Sequence, residues 1–185
     1  MKNLKSILAI TILAITFTSC SDDDDNPVPV NAEEVITTLT ATLNSTAGDI
    51  TLTSRDLDGS DGPDDPVITV SSPLAANTMY TGSLDLLNET EDPAESITEE
   101  IEEEDDEHQF FFSSSLVSTE YLDMDDDGNP IGLAFTLTTG DAGTGNITIT
   151  LRHEPAKSAE GVSDGNIANA GGETDIAVTF PIVVQ

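Results

Sequence analysis

Apolar and polar side chains alternate with a period of two along several short segments of residues 33–185. In the clearest segments, 147–151 and 176–184, every second residue is Ile, Leu, Val or Phe. Successive side chains of a β-strand point to opposite faces of a sheet, so this period predicts strands with one buried face. Further segments of this kind are Val35–Leu43, Ile50–Thr53, Ser83–Leu86, Phe110–Phe112 and Leu133–Thr138, and threonine is frequent in the first, second and last of them.

Turn sequences separate these segments. They contain glycine, asparagine or proline and include Ala47-Gly48-Asp49, Asp127-Gly128-Asn129-Pro130 and Gly140-Asp141-Ala142-Gly143. Seven to nine short strands at this spacing predict an all-β fold, a single antiparallel β-sandwich of the immunoglobulin-like or Greek-key type. An up-and-down barrel is the alternative.

One short acidic helix is predicted from Pro93 to Asp105. Asp92 is suited to cap it, Pro93 suits its first turn, and Ile97 and Ile101 are spaced to face the sheet together. The acidic run 102–107 opposes the helix dipole, so we expect the C-terminal end to fray.

The first 20 residues have the pattern of an export signal. Lys2 and Lys5 precede an apolar run from Ile7 to Phe17, which is shorter than the roughly 20 residues that span a bilayer. Thr18-Ser19-Cys20 resembles the cleavage site of bacterial lipoproteins, with Phe17 where leucine is usual. The resemblance implies removal of residues 1–19 and attachment of lipid to Cys20, which would give durable membrane anchoring. A free thiol in a soluble exported protein is the alternative.

An acidic string follows the cysteine: Ser21, Asp22, Asp23, Asp24 and Asp25. It resembles the lipoprotein export signal of Bacteroidota and implies display on the outer membrane at the cell surface. The alternative is a solvated charged linker on a periplasm-facing anchor. Residues 20–32 are thus predicted to hold the lipidated cysteine, the export signal and a proline-containing linker, ahead of one domain at 33–185.

The charge of the chain restricts its partners. The formal net charge is −31, and subtracting Lys2 and Lys5 leaves about −33 after signal removal. Nucleic acid is excluded as a partner, and we expect membrane contact through the lipid anchor alone because the protein surface repels anionic lipids. Divalent cations are the natural counter-ions. Cys20 is the only cysteine, so no disulfide can stabilise the domain.

A stretch from Asp123 to Gly128 resembles the start of an EF-hand calcium loop. Asp123, Asp125 and Asp127 alternate, and Asn129 could add a carbonyl, so calcium is the one cofactor that this stretch suggests. The twelfth position is Ala134, where a bidentate glutamate would be expected. A solvated acidic hairpin loop is the alternative. A second acidic loop, Asp56–Gly62, has similar carboxylate density but poorer spacing.

The two histidines form another candidate site. His108 shares a strand face with Phe110 and Phe112, and His153 shares one with Leu151. If the two strands run antiparallel in one sheet or face each other, both imidazoles lie at the same end of the core. With Glu107 or Glu154 they could bind zinc or copper, as a metal carrier or an enzyme site. Two unrelated histidines that cap the core by hydrogen bonds are the alternative.

No sequence feature marks an enzyme, since no G-x-S-x-G motif or other activated nucleophile occurs. The composition also gives little to stack on sugars, with no tryptophan and two tyrosines. We expect a non-enzymatic binding or structural module, with a subunit of an export or uptake assembly as an alternative. Arg152 and Lys157 are expected to balance the domain's own carboxylates, with an anion-binding site as the alternative.

Several stretches resemble a family of small flavobacterial surface lipoproteins. The resemblance implies the lipid anchor and one domain, and it carries no catalytic residues. The stretches are Glu34–Leu39, Arg55–Gly59, Leu87–Glu91, Leu151–Lys157 and Gly171–Ile176.

Overall fold

The computed structural model describes residues 34–59 and 62–185. The predicted signal peptide, Cys20, the acidic string Ser21–Asp25 and the linker therefore lie outside the described residues. Among the residues that are described, no helix has the length and apolar character needed to cross a bilayer.

Ten strands and one α-helix make up the described part of the chain, together with a 3₁₀ turn at Ile167–Asn169. The strands are β1 (Thr38–Asn44), β2 (Ile50–Arg55), β3 (Val67–Val70), β4 (Met79–Asn88), β5 (Glu95–Ser96), β6 (His108–Ser114), β7 (Val117–Tyr121), β8 (Ala134–Thr139), β9 (Gly143–His153) and β10 (Glu173–Val184). The helix α1 spans Ile97–Glu103.

The strands form two antiparallel sheets, which confirms the predicted all-β sandwich. One sheet has the order β3-β2-β1-β4-β8-β7, with β5 paired to β4, and the other has the order β10-β9-β6. Strands β1, β2 and β3 follow one another as neighbours, and β4 returns beside β1, which is the Greek-key arrangement. The barrel alternative is wrong because the described strands divide between two separate sheets.

The period-two pattern places the core between the sheets. In β9 the alternate residues Ile147, Ile149 and Leu151 are buried, and in β10 Phe180 and Ile182 are buried in the same way. Val35 departs from the prediction because it precedes β1 and is exposed. The short edge strands β3 and β7 were not predicted, since their half-exposed residues give no strong alternation.

The helix exists, but it begins later than predicted. Ser96 caps it by accepting a hydrogen bond from the backbone N–H of Glu99, whereas Asp92 and Pro93 precede it. Ser96 also pairs with β4, so the chain is still extended where the sequence pattern predicted the first helical turn. Ile97 and Ile101 are both buried, as their spacing predicted.

Gly82 on β4 provides a test of the packing. It lies opposite Phe135 of β8, and a methyl group on Gly82 would overlap the buried Phe135 ring. We expect Gly82→Ala to destabilise the domain by about 1–3 kcal/mol, because the ring must leave its packed position. Urea unfolding measures the change. Gly140→Ala is the control, since its new methyl group would make only an ordinary contact with the Leu116 carbonyl; equal losses in the two variants would contradict the packing argument.

Candidate metal centre

The two histidines of the described chain lie side by side at one end of the three-stranded sheet. Strands β6 and β9 are antiparallel, and their register pairs His108 directly with His153. The ring centroids are 4.9 Å apart and the ring planes differ by 22°. The side chain of His108 is fully buried, and that of His153 is 7% exposed. The structure thus places both imidazoles within reach of one ion.

Two buried carboxylates face these rings. Glu34 Oε1 lies 3.0 Å from His108 Nε2. Asp175 approaches both rings, with Oδ2 4.0 Å from His108 Nε2 and Oδ1 3.8 Å from His153 Nδ1. The Glu34 side chain is 5% exposed and that of Asp175 is fully buried. Neither carboxylate was a candidate from the sequence.

A β-bulge explains why the sequence pattern missed Asp175. In β10 the alternation of Ile176 and Val178 predicts that Asp175 points away from the core. The register with β9 shifts between Thr174 and Ile176, which makes Asp175 the extra residue. A bulge of this kind turns one side chain toward the other face of the sheet, while the neighbouring side chains keep their orientation. No sequence pattern marks Glu34 either, because this residue precedes the first strand.

The hydrogen bonds of His108 determine its protonation. Its Nδ1 lies 3.1 Å from the carbonyl oxygen of Glu104, which only accepts, so Nδ1 carries a proton. Its Nε2 faces the Glu34 carboxylate, which also accepts when ionised. Nε2 therefore either carries a second proton or binds a cation. A metal-binding histidine usually donates its other N–H to a carbonyl or carboxylate in this way.

The pKa shifts of the His108–Glu34 pair have opposite directions. Burial of the His108 ring favours its neutral form, but the hydrogen bond to Glu34, the Glu104 carbonyl and the charge of Asp175 together raise its pKa above 6.5. Burial favours the neutral form of Glu34 as well, yet its contact with His108 holds its pKa below 4.5. The cluster thus favours positive charge at His108 Nε2.

The four side chains have the spacing of a metal site. Glu34, His108, His153 and Asp175 each offer one donor atom, and these atoms lie within 4.8 Å of one another. Tetrahedral zinc with bonds of about 2 Å requires donor separations of about 3.3 Å. The observed contacts are 3.0 Å from Glu34 to His108, and 4.0 and 3.8 Å from the two Asp175 oxygens to His108 and His153, so the side chains would have to shift to surround an ion.

The predicted partners Glu107 and Glu154 belong to a second group around His153. Glu107 Oε2 is 3.5 Å from His153 Nε2, on the opposite side of the ring from Asp175. Donor atoms of Glu107, His153 and Glu154 also lie within 4.8 Å of one another. Glu107 directly precedes β6 and Glu154 directly follows β9, and the Glu154 N–H donates to the Glu107 carbonyl at 2.7 Å.

An acidic cleft reaches the buried cluster from another side. Its volume is about 600 Å³, and both Glu34 and Asp175 line it. Its rim carries the carboxylates of Asp56, Asp64 and Asp65. The cleft therefore attracts cations.

The predicted calcium loop uses its carboxylates differently from an EF-hand. Asp125 is buried, with Oδ2 3.0 Å from the Lys157 ammonium, and its Oδ1 accepts hydrogen bonds from the N–H groups of Asp127 and Asn129. Asp123 accepts from the N–H groups of Gly132 and Ala134. Among the described residues, Asp123, Asp125 and Asp127 do not converge into a three-carboxylate group. Calcium binding by this loop stays a prediction.

Of the two basic residues near β9, Lys157 pairs with a carboxylate of the domain, whereas Arg152 donates to backbone carbonyls and to the Thr174 hydroxyl. Lys157 donates to Asp125 and to the Asp105 carbonyl. Burial raises the pKa of Asp125, but its hydrogen bonds with Asn129 and Lys157 outweigh this and lower it below 3.8. Arg152 donates to the carbonyls of Gly171 and Gly172. Both side chains thus have structural partners within the domain.

Comparison with protein-family models, with curated proteins and with solved structures finds no match. The resemblance to flavobacterial lipoproteins therefore stays an expectation from the sequence.

Removing the charge of Glu34 should lower the pKa of His108. In chelator-treated protein we expect a His108 pKa above 6.5, measured by NMR titration of the ring protons, and a lower value in Glu34→Gln. Since the pKa of His108 is raised on folding, its stabilising contribution is present below pH 6.5 and is lost as the pH rises through the folded value. Glu34 contributes above pH 4.5 and loses its contribution as the pH falls. An unchanged His108 pKa in Glu34→Gln would contradict this coupling.

Removing Lys157 should leave a buried, uncompensated charge. We expect Lys157→Met to destabilise the domain by about 3–5 kcal/mol in urea unfolding, because the Asp125 side chain is 1% exposed. The double variant Lys157→Met, Asp125→Asn should recover part of this loss, since asparagine keeps an acceptor for the loop N–H groups. A loss below about 1 kcal/mol in the single variant would mean that the pair behaves as a surface ion pair.

Proposed function

We propose that this protein is a lipid-anchored outer-membrane lipoprotein whose β-sandwich domain binds one divalent transition-metal ion, most favourably zinc. The observation that carries the proposal is the buried cluster of Glu34, His108, His153 and Asp175, whose donor atoms lie within 4.8 Å of one another. Two imidazoles and two carboxylates are a donor set that zinc accepts in tetrahedral geometry.

Charge supports a cation at this point. Two carboxylates with almost no exposure to water face two imidazoles, and buried charges are tolerated only when they are paired or coordinate a metal. One divalent ion with two neutral imidazoles and two carboxylates gives a neutral set. Glu34 Oε2 supports the same conclusion, because it is a buried oxygen without a hydrogen bond among the described residues.

The number of ligands favours binding over catalysis. Catalytic zinc keeps an open position for water or substrate, whereas structural zinc is held by four protein ligands. Four side chains converge on this site. We therefore infer a non-enzymatic binding or structural role.

The proposed anchor depends on the sequence alone. Lys2, Lys5, the apolar run and Cys20 carry the lipoprotein signal, and the string Ser21–Asp25 carries the surface-export signal. Release of the intact protein from outer membranes by detergent but not by salt, with loss of membrane attachment in Cys20→Ser, would support it.

Zinc should stabilise the domain. At free zinc 100-fold above the dissociation constant, binding to the native state alone adds about 2.7 kcal/mol, which corresponds to a rise in Tm of about 5–11 °C. The measurement is thermal unfolding by circular dichroism of the full chain in detergent, after treatment with a chelator. We expect the shift to be lost in His108→Gln and greatly reduced in Glu34→Gln.

The helix variant Glu102→Gln, Glu103→Gln is the matched control, because it removes two exposed acidic charges near the site. It should keep the zinc shift. An unchanged Tm in the parent chain, or an equal shift in all variants, would reject the proposed site. Calcium should give no shift that depends on His108, since calcium prefers oxygen ligands.

A further inference from the structure

The buried cluster poses the question of how an ion enters it. The side chains of Glu34, His108, His153 and Asp175 are at most 7% exposed. Hydrated ions must lose water before they reach such donors, and exposed ligands next to the site would replace that water in steps. His153 is the most exposed of the four, and its second nitrogen faces outward to Glu107.

We propose that Glu107, His153 and Glu154 form an outer metal-binding position, through which a divalent transition-metal ion enters and leaves the buried site. This inference rests on the proposed function. The outer group combines one imidazole nitrogen with two carboxylates, and its donor atoms lie within 4.8 Å of one another. Glu107 is 42% exposed and Glu154 is exposed, so the position is open to solvent.

The chemistry of imidazole makes the two positions alternatives. A neutral imidazole has one nitrogen with a free lone pair, and the other nitrogen carries the proton. An ion in the outer position takes Nε2 of His153 and leaves the proton on Nδ1, beside Asp175. An ion in the inner position takes Nδ1 and leaves the proton on Nε2, beside Glu107. Transfer inward therefore moves one proton from Nδ1 to Nε2 through solvent, with no net gain or loss.

The backbone holds the outer position together. Glu107 and Glu154 extend the paired ends of β6 and β9, where two acidic residues opposite each other repel. Glu154 has a φ of 47°, which ends the strand alternation and allows its carboxylate to join His153. A divalent ion between the two carboxylates would replace their repulsion with attraction.

The acidic cleft is the competing route, because Glu34 and Asp175 line it. Its rim residues Asp56, Asp64 and Asp65 form no three-ligand group among the described residues, and no histidine lines the cleft. The rim can attract ions, whereas the outer group can also bind them. The ligand chemistry thus favours entrance by way of His153.

The experiment measures zinc uptake and release by stopped flow on the full chain in detergent, with a fluorescent zinc chelator for the release phase. In Glu107→Gln, Glu154→Gln we expect uptake and chelator-driven release to slow by the same factor, about tenfold or more, with the dissociation constant unchanged. An intermediate position speeds both directions equally, so its loss cannot change the equilibrium. Glutamine at 107 still accepts the His153 Nε2–H when the ion is in the inner position.

Two control variants each remove two acidic charges elsewhere. Asp64→Asn, Asp65→Asn alters the cleft, and Glu102→Gln, Glu103→Gln alters the helix; both should keep the release rate of the parent. Slower uptake with unchanged release and weaker affinity in Glu107→Gln, Glu154→Gln would reveal only general electrostatic attraction and would overturn the proposal. Slower exchange confined to the cleft variant would also overturn it and assign the route to the cleft.

Stoichiometry separates this inference from the proposed function. Mass spectrometry of the metal content, after desalting in excess magnesium, should give one zinc per chain. No bound zinc would reject the buried site and its entrance together. One zinc with parent-like exchange in the Glu107→Gln, Glu154→Gln variant would keep the buried site and reject the outer position. Two bound ions would reject the alternation between the two positions.

Discussion

The antiparallel register of β6 and β9 is the constraint on which the functional geometry depends. A shift of one residue would send His108 or His153 to the opposite face of the sheet, because side chains alternate. The observed register pairs the two histidines where both strands end, with Phe110 opposite Leu151 one layer further into the core. Apolar packing between the two sheets therefore holds a polar arrangement in place. The positions of the two imidazoles are therefore set by the packing of the core, before any proton or ion binds to them.

Around the two histidines, the exposure of the charged and titratable side chains to water increases from the core to the surface. The side chains of Asp175 and Glu34 are buried, His153 lies at the boundary, and Glu107 and Glu154 face solvent. Water screens the outer carboxylates, while the inner ones depend on His108 for compensation. The acidic excess of the chain is therefore not uniform in its effect. Most acidic residues in the described part of the chain are exposed to water, whereas the side chains of Glu34 and Asp175 lie buried beside the two imidazoles.

The sequence predicts the strands well and the site in part. Alternation identifies β9 and β10 because their apolar residues recur every second position, and it places His108 and His153 on inward faces. It does not reveal Asp175, because a bulge breaks the period at that residue, nor Glu34, which precedes any strand pattern. Spacing in the Asp123–Gly128 stretch suggests convergent carboxylates. In the structure, one of these carboxylates, that of Asp125, pairs with Lys157, which lies more than 30 residues away along the chain. Long-range partners of this kind leave no local signal.

Glu34 differs from the other three residues of the buried cluster in its place in the fold. His108, His153 and Asp175 all come from the three-stranded sheet, whereas Glu34 lies just before β1 of the larger sheet. Coordination by all four would join the two layers through a single point. In a chain whose only cysteine precedes the domain, an ion at this point would serve the purpose of an inter-sheet disulfide. Unlike a disulfide, this cross-link would respond to the concentration of metal ions around the protein and not to the redox state of its surroundings.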